Sequence, residues 1–314
     1  MSARRIAALL IATGWVMSGV LHAAPPAGLF LKPDRYELKV GERVELSLQR
    51  LSDAGVAGAP AAAAADNVPA PVDIAVSSLA CDHAFLRLAG TQENRDSLVA
   101  MAFAPDLVGE PAAQAAKGQP VATVSVPLTI HGVAMIGCDF SPRVELLGAD
   151  ELRAFLKSVL TAPAFEEASK LIPKDGDVRV RRVETVKTLV NVTTDDPKAI
   201  GDRQTAISKT GQMNEIRFTM NPTSTPLGSD VALRVFAKID KAANAKVIVS
   251  CDEANVRREV ETSATATGVF TLTHAGAWRA EFHVVKPAKD DPDADLTIYS
   301  ATATFHTMPS EVQR

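Results

Sequence analysis

The stretch Gly268–His306, GVFTLTHAGAWRAEFHVVKPAKDDPDADLTIYSATATFH, decides the fold class. Two β-rich apolar runs flank a short acidic turn. In the first run Trp278, Ala280, Phe282 and Val284 occupy alternate positions and therefore share one face of a strand. Arg279, Glu281 and His283 occupy the other face, which reads as the polar one. The turn carries Asp290, Asp291, Asp293 and Asp295, with an Asp-Pro step shaping it. The segment reads as the closing hairpin of a β-sandwich, with Trp278 and Phe282 in its core.

Working outward, the same grammar occurs earlier in the chain. Gly41-Glu-Arg-Val44-Glu-Leu46-Ser-Leu48 resembles Gly228-Ser-Asp-Val231-Ala-Leu233-Arg-Val235, and each follows a proline, Pro33 or Pro222. Leu128-Thr-Ile-His-Gly132 parallels Leu272-Thr-His-Ala-Gly276. Short alternating strands between turn signals predict sandwiches, and the internal echo predicts two of related topology. Strands are expected at 30–39, 44–48, 72–76, 85–88, 98–103, 121–130, 133–140 and 186–192. Ala/Pro/Gly-rich loops are expected at 54–71 and 105–120. Between the two β regions the period changes. Leu152, Phe155, Leu156, Val159 and Leu160 recur at helical spacing. Pro163 ends that helix and opens a second, which Pro173-Lys-Asp-Gly176 stops.

The resulting division is a leader at 1–23, an N-terminal sandwich at 24–147 and a helical insert at 148–176. A strand and connector at 177–211 lead to a C-terminal sandwich at 212–314. The leader is read from Arg4-Arg5, the apolar run 6–21 and the small Ala23 at the cleavage point. It predicts export to the periplasm or beyond, with no membrane span in the mature chain. Its removal takes two of the 33 basic residues and leaves 31 against 37 acidic ones, a net charge of -6. With no basic cluster and an isoelectric point near 5.9, nucleic acid is not an expected partner. Of three cysteines, Cys81 and Cys138 lie in the same half and form the natural disulfide pair in an oxidising compartment. The alternative is that all three are small buried hydrophobes.

Several blocks, in order, resemble a family of exported bacterial proteins of poorly defined function. Some of its members are labelled nickel- or cobalt-uptake components (NikM-like periplasmic domains). The blocks are Leu29-Phe-Leu-Lys-Pro33, Val144-Glu-Leu146 with Phe155-Leu156, Lys187-Thr-Leu-Val-Asn-Val192, Glu215-Ile-Arg217 with Asn221-Pro222, and Gly276-Ala-Trp278 with His283 and Asp293-Ala-Asp295. The resemblance implies two Ig-like or transthyretin-like β-sandwich domains with a short helical insert between them. It implies no assigned reaction. The family often carries a His just past the leader; here that position is Ala27.

Two readings stand for the acidic hairpin. Four aspartates in a compact turn, with His283 nearby, are donors suited to a divalent cation. Equally, Asp290, Asp291, Asp293 and Asp295 make a solvated turn, and His283 a structural imidazole. His274 and His306, at the far end of the hairpin, form a second pair of candidate ligands. The sequence has no nucleophile elbow, phosphate loop, dinucleotide fingerprint or zinc-protease motif. The expected function is therefore a non-catalytic exported binding or accessory protein, linked through the resemblance to divalent metal uptake. Its expected partner is a membrane transport component or envelope protein. The alternative is a structural or interaction module of the envelope without a small ligand.

Overall fold

The computed structural model describes residues 28–51, 71–73, 81–88, 123–196, 204–289 and 291–309. The leader, the strand expected at 98–103, the loop at 105–120 and nearly all of the loop at 54–71 lie outside them. The first half contains β1 Leu29–Pro33, β2 Glu37–Lys39, β3 Arg43–Leu51, β4 Pro71–Asp73, β5 Cys81–Arg87, β6 Thr123–Pro127, β7 Gly132–Phe140 and β8 Arg143–Gly148. Helices α1 (Ala149–Val159) and α2 (Ala162–Ser169) follow, then the long β9, Asp177–Thr193. The second half contains β10 Glu215–Phe218, β11 Asp230–Ala237, β12 Asp240–Lys241, β13 Lys246–Cys251, β14 Val256–Glu261, β15 Thr267–Thr271, β16 Gly276–Pro287 and β17 Leu296–Thr307. The protein is mainly β and built from packed sheets, as the alternation predicts.

The two halves are not separate in their strand pairing. They share one nine-stranded sheet in the order β14-β13-β16-β17-β9-β7-β5, with β2 and β8 also paired to β9. The segment expected as a strand at 186–192 plus linker is the spine of the molecule: β9 runs parallel to β17 from Val180 opposite Leu296 to Thr188 opposite Thr304. Each half adds a four-stranded covering sheet, β1-β3-β4 with β6 in one and β10-β11-β12 with β15 in the other.

The halves are equivalent in detail. Gly41 and Gly228 both adopt positive φ, 92° and 86°. Their amides donate to the carbonyls of Leu128 (2.7 Å) and Leu272 (2.6 Å), and those leucines donate back to Glu42 and Ser229. Thus the repeated glycines and leucines build the same corner twice. The prolines do not match: Leu46 pairs with Pro33, whereas its counterpart Leu233 pairs with Phe218. The two covering sheets lie on opposite faces of the shared sheet. Ala134, Ile136, Val190 and Val192 pack with Val44 and Leu46, while Val133, Met135 and Leu189 pack with Phe218, Val231 and Leu233. Turning one half about an axis parallel to the strands, between β9 and β17, reproduces this arrangement.

The insert has a definite task. Helix α1 buries Leu152, Phe155, Leu156 and Val159 on one stripe. That stripe packs on Val178, Val180, Ile248, Leu296 and Ile298, the outer face of the second half. No helix among the described residues is long and apolar enough to cross a membrane.

Candidate functional site

The face of β16 that reads as polar from sequence is not solvated. Arg279, Glu281 and His283 are all buried, His283 to 1% exposure. Their cover comes from the start of the described chain and from α1. Thr302 and Thr304 donate their hydroxyls to the carbonyls of Leu29 (2.6 Å) and Leu31 (2.8 Å), which fixes β1 across β17. Gly28 passes so close that a Cβ there would lie 3.5 Å from His283 Cε1 and 3.7 Å from Glu281 Oε2. Phe155 of α1 meets the His283 ring edge-on with centroids 5.3 Å apart, and Arg182 stacks over the same phenyl ring at 4.9 Å.

His283 is held in one orientation. Its Nδ1 lies 2.8 Å from Ser300 Oγ, the residue opposite it on β17. Its Nε2 is buried with no hydrogen-bond partner. Burial, with the Arg182 guanidinium nearby, pushes its pKa down to about 3. The ring is therefore neutral at physiological pH. It lines a groove of about 440 Å³ between α2 and strands β13 and β16. That volume is in the range of small-ligand pockets. Alanines create it: Ala164, Ala168 and Ala245 stand at the helix–sheet contact, where larger side chains would fill the space.

The metal-ligand set read from the sequence is not brought together. His283 sits four residues before Pro287, where the hairpin opens its turn, about 13 Å along the strand. Its ring faces α1 and β1. Asp291 is engaged by Arg181, through Nε and through Nη2 at 2.9 Å. Asp295 accepts from the Arg179 guanidinium at 2.7 Å and from its amide at 2.9 Å. Hydrogen bonds from these arginines hold both carboxyls below the usual carboxylate range. Asp293 is exposed, and Asp290 lies outside the described residues. Among the described residues no group of three or more His, Cys, Asp or Glu is placed to hold a metal. The reason lies in β9: its charged start carries the arginines that neutralise the turn, and nothing in the spacing of the turn announces them.

Three further histidines of the described residues have partners within the fold. His306 falls opposite Ala277 and stacks on Tyr36 with centroids 5.5 Å apart. His274 Nδ1 lies 2.9 Å from Thr273 Oγ1. His131 Nδ1 lies 2.8 Å from the Val192 carbonyl. Cys251 is free and buried, and Cys138 is disulfide-bonded. The side chain of its expected partner Cys81, the first residue of β5, lies outside the described residues.

A second buried ionic group sits on the opposite face. Lys187 of β9 pairs with Glu215 at 3.5 Å, both almost fully buried, and Glu215 also meets Arg217 at 3.2 Å. Burial outweighs Glu215 and pushes the Lys187 pKa down to about 8.

No protein-family model and no curated protein matches the chain. Among solved structures it is similar to the crystal structure of murine CEACAM1b, at 7% identity, covering 89% of this chain and 100% of that one, with a TM-score of 0.19. A score that low adds nothing to the fold read from the strands themselves.

Proposed function

We propose that this chain is an exported, non-catalytic binding protein whose ligand occupies the groove between α2 and the second half of the shared sheet. One observation carries the reading. A groove of about 440 Å³ opens between α2 and strands β13 and β16, walled mostly by carbon from Leu160, Ala164, Ala168, Val285 and Pro287, with His283 at its floor. Export follows from the leader. The test is native mass spectrometry of protein purified from its own compartment. One small molecule per chain is expected, and it should be absent from a folded Ala164→Trp variant. Retention of the same mass in that variant moves the ligand out of the groove and ends the reading.

The envelope-module reading has one feature in its favour. Val144 and Leu146 project from the same face of β8, and Leu146 is 65% exposed. An envelope partner captured by the parent protein and lost on Leu146→Lys would support it.

A further inference from the structure

We infer that a second pocket, built around Arg279, takes a free amino acid or a similar small zwitterion with an apolar side chain. It is separate from the groove and does not rest on the binding reading above. The pocket, of about 320 Å³, lies between β1, the turn after β13 and the start of β16. That volume falls at the low end for small-ligand sites. Arg279 has its guanidinium in the wall. The group lies over the Phe30 ring at 4.8 Å and reaches Asp252, and both of those residues line the pocket. The side chain is only 5% exposed, yet its one ion pair among the described residues is a single 3.4 Å contact from Nη1 to Asp252. Arg179 and Arg181, by contrast, grip Asp295 and Asp291 as forks. A buried guanidinium with one long contact is short of acceptors. A ligand carboxylate meeting Nη1 and Nη2 end-on supplies them. Lys32 of β1, exposed and without an ion pair among the described residues, stands in the same wall for that carboxylate.

The turn after β13 sets the other end. Asp252 is 40% exposed, and Glu253 is fixed beside it by accepting the Ala277 amide at 2.9 Å. A ligand ammonium there gives Asp252 a closer partner than the arginine it gives up. The charged lining is thus two cations and two carboxylates. A bare anion or a bare cation would meet two like charges, whereas a zwitterion sets each end against its opposite. Between the ends, Phe30 and Tyr36 offer carbon to an apolar side chain, with Tyr36 backed by His306 at 5.5 Å between centroids.

The test is calorimetric titration of the purified protein with three probes of one shape: L-leucine, 4-methylpentanoate, which lacks the ammonium, and 3-methylbutylamine, which lacks the carboxylate. Leucine should bind one per chain, about tenfold or more tighter than either relative, because each relative loses one set of charge-assisted hydrogen bonds. Asp252→Asn should weaken leucine about tenfold without weakening 4-methylpentanoate. Lys32→Met should weaken leucine and 4-methylpentanoate and leave the amine unchanged. Both positions are exposed, so neither variant disturbs the core. Tightest binding by either relative, or a leucine preference that survives Asp252→Asn, overturns the zwitterion class. Leucine binding should persist in Ala164→Trp; its loss there moves leucine to the groove, overturning this site while the binding reading stands. Binding of none of the three tighter than about millimolar removes the second site and leaves the groove untouched.

Discussion

The two halves share a frame and differ in what covers their outer faces. In the first half, the outer face of β9 and β7 is covered by the segment leading into β10. There Gln212 donates to Asp139 (2.8 Å), Asn214 donates to the Val183 carbonyl (2.8 Å), and Glu215 meets Lys187. In the second half, the outer face of β16 and β17 is covered by β1 and by the helices inserted between β7 and β9. The equivalent connection in the second half, from β16 to β17, is only a tight acidic turn. One outer face is thus sealed by a segment that brings its own polar partners. The other is roofed by apolar helices over a polar stripe, and the helix–sheet contact there leaves a groove beside His283. Duplicated architecture supplies stability twice; the candidate site arises where the copies stop being alike.

The sealed face should be the more costly one to disturb. Lys187→Met removes the cation from a buried carboxylate. We expect a loss of about 3–5 kcal/mol in denaturant unfolding, the range for breaking a buried pair. Adding Glu215→Leu should recover part of it, because the buried carboxylate leaves with its buried partner, while Arg217 loses the same carboxylate but is a quarter exposed. His283→Leu, on the roofed face, should cost far less. A larger loss from His283→Leu than from Lys187→Met would invert the comparison and make the histidine the structural residue.

The shared corners should respond alike, and the unlike ones differently. Gly41→Ala and Gly228→Ala should each cost about 1 kcal/mol, since both have positive φ and open space around the missing Cβ. Gly276→Ala should cost about twice that. It combines φ of 130° with a Cβ position 2.9 Å from Glu253 Oε2, which also accepts the Ala277 amide. Equal thermal shifts at Gly41 and Gly228 would sharpen the equivalence; a difference of twofold or more would break it.

What could be read from the chain divides along the same line. Alternation in Val44–Leu48 and Trp278–Val284, helical spacing in Leu152–Leu160 and the turn glycines are local signals, and they placed the strands, α1 and both corners. Alternation also says that Arg279, Glu281 and His283 share a face. It cannot say whether that face meets water, because its cover comes from Leu29–Leu31 and from Phe155, far away in sequence. The first half of β9, DVRVRRVE, reads as too charged for a central strand. Its charges are satisfied by residues equally remote: Arg182 by Glu145, Glu184 by Arg143 and Arg181 by Asp291. The groove is made by the smallness of Ala164, Ala168 and Ala245, and a missing side chain leaves no pattern to find.

The two faces should also separate by pH. His283 has a folded-state pKa of about 3 against about 6.5 unfolded. Between those values the unfolded chain holds more protons, so the stabilising contribution is full above about pH 6.5 and is lost as pH falls toward 3. Lys187, at about 8 folded against 10.5 unfolded, makes stability rise with pH across that higher window. Each slope is at most about 1.4 kcal/mol per pH unit. In unfolding midpoints measured from pH 3 to 11, His283→Leu should flatten the acid limb alone, whereas Lys187→Met should flatten the alkaline limb and also weaken the acid-side contribution of Glu215, which Lys187 helps hold below its ordinary range. The parent–variant difference isolates each group from Cys251, which burial pushes up to about 11 and which acts in the opposite sense at high pH. A His283→Leu variant that also changed the alkaline limb would mean that the faces are coupled through β9.

The smallest expected effect is at the acidic turn, and it bears on the metal reading. In calorimetry with Ni²⁺, Co²⁺, Zn²⁺ and Ca²⁺ the parent protein should give no saturable heat tighter than about millimolar from this turn. Its two best carboxylates already have arginine forks as counterions. Bidentate pairing of that kind fills the lone pairs a cation would need. Arg179→Ala with Arg181→Ala should release Asp291 and Asp295, and only then should weak Ca²⁺ binding emerge at Asp291, Asp293 and Asp295. If the parent binds Ni²⁺ or Co²⁺ tightly and Asp291→Asn with Asp295→Asn removes it, a cation must displace those arginines. The turn that closes the second half would then be a metal site in its own right, and the comparison would have to count two functional departures from the duplicated frame instead of one.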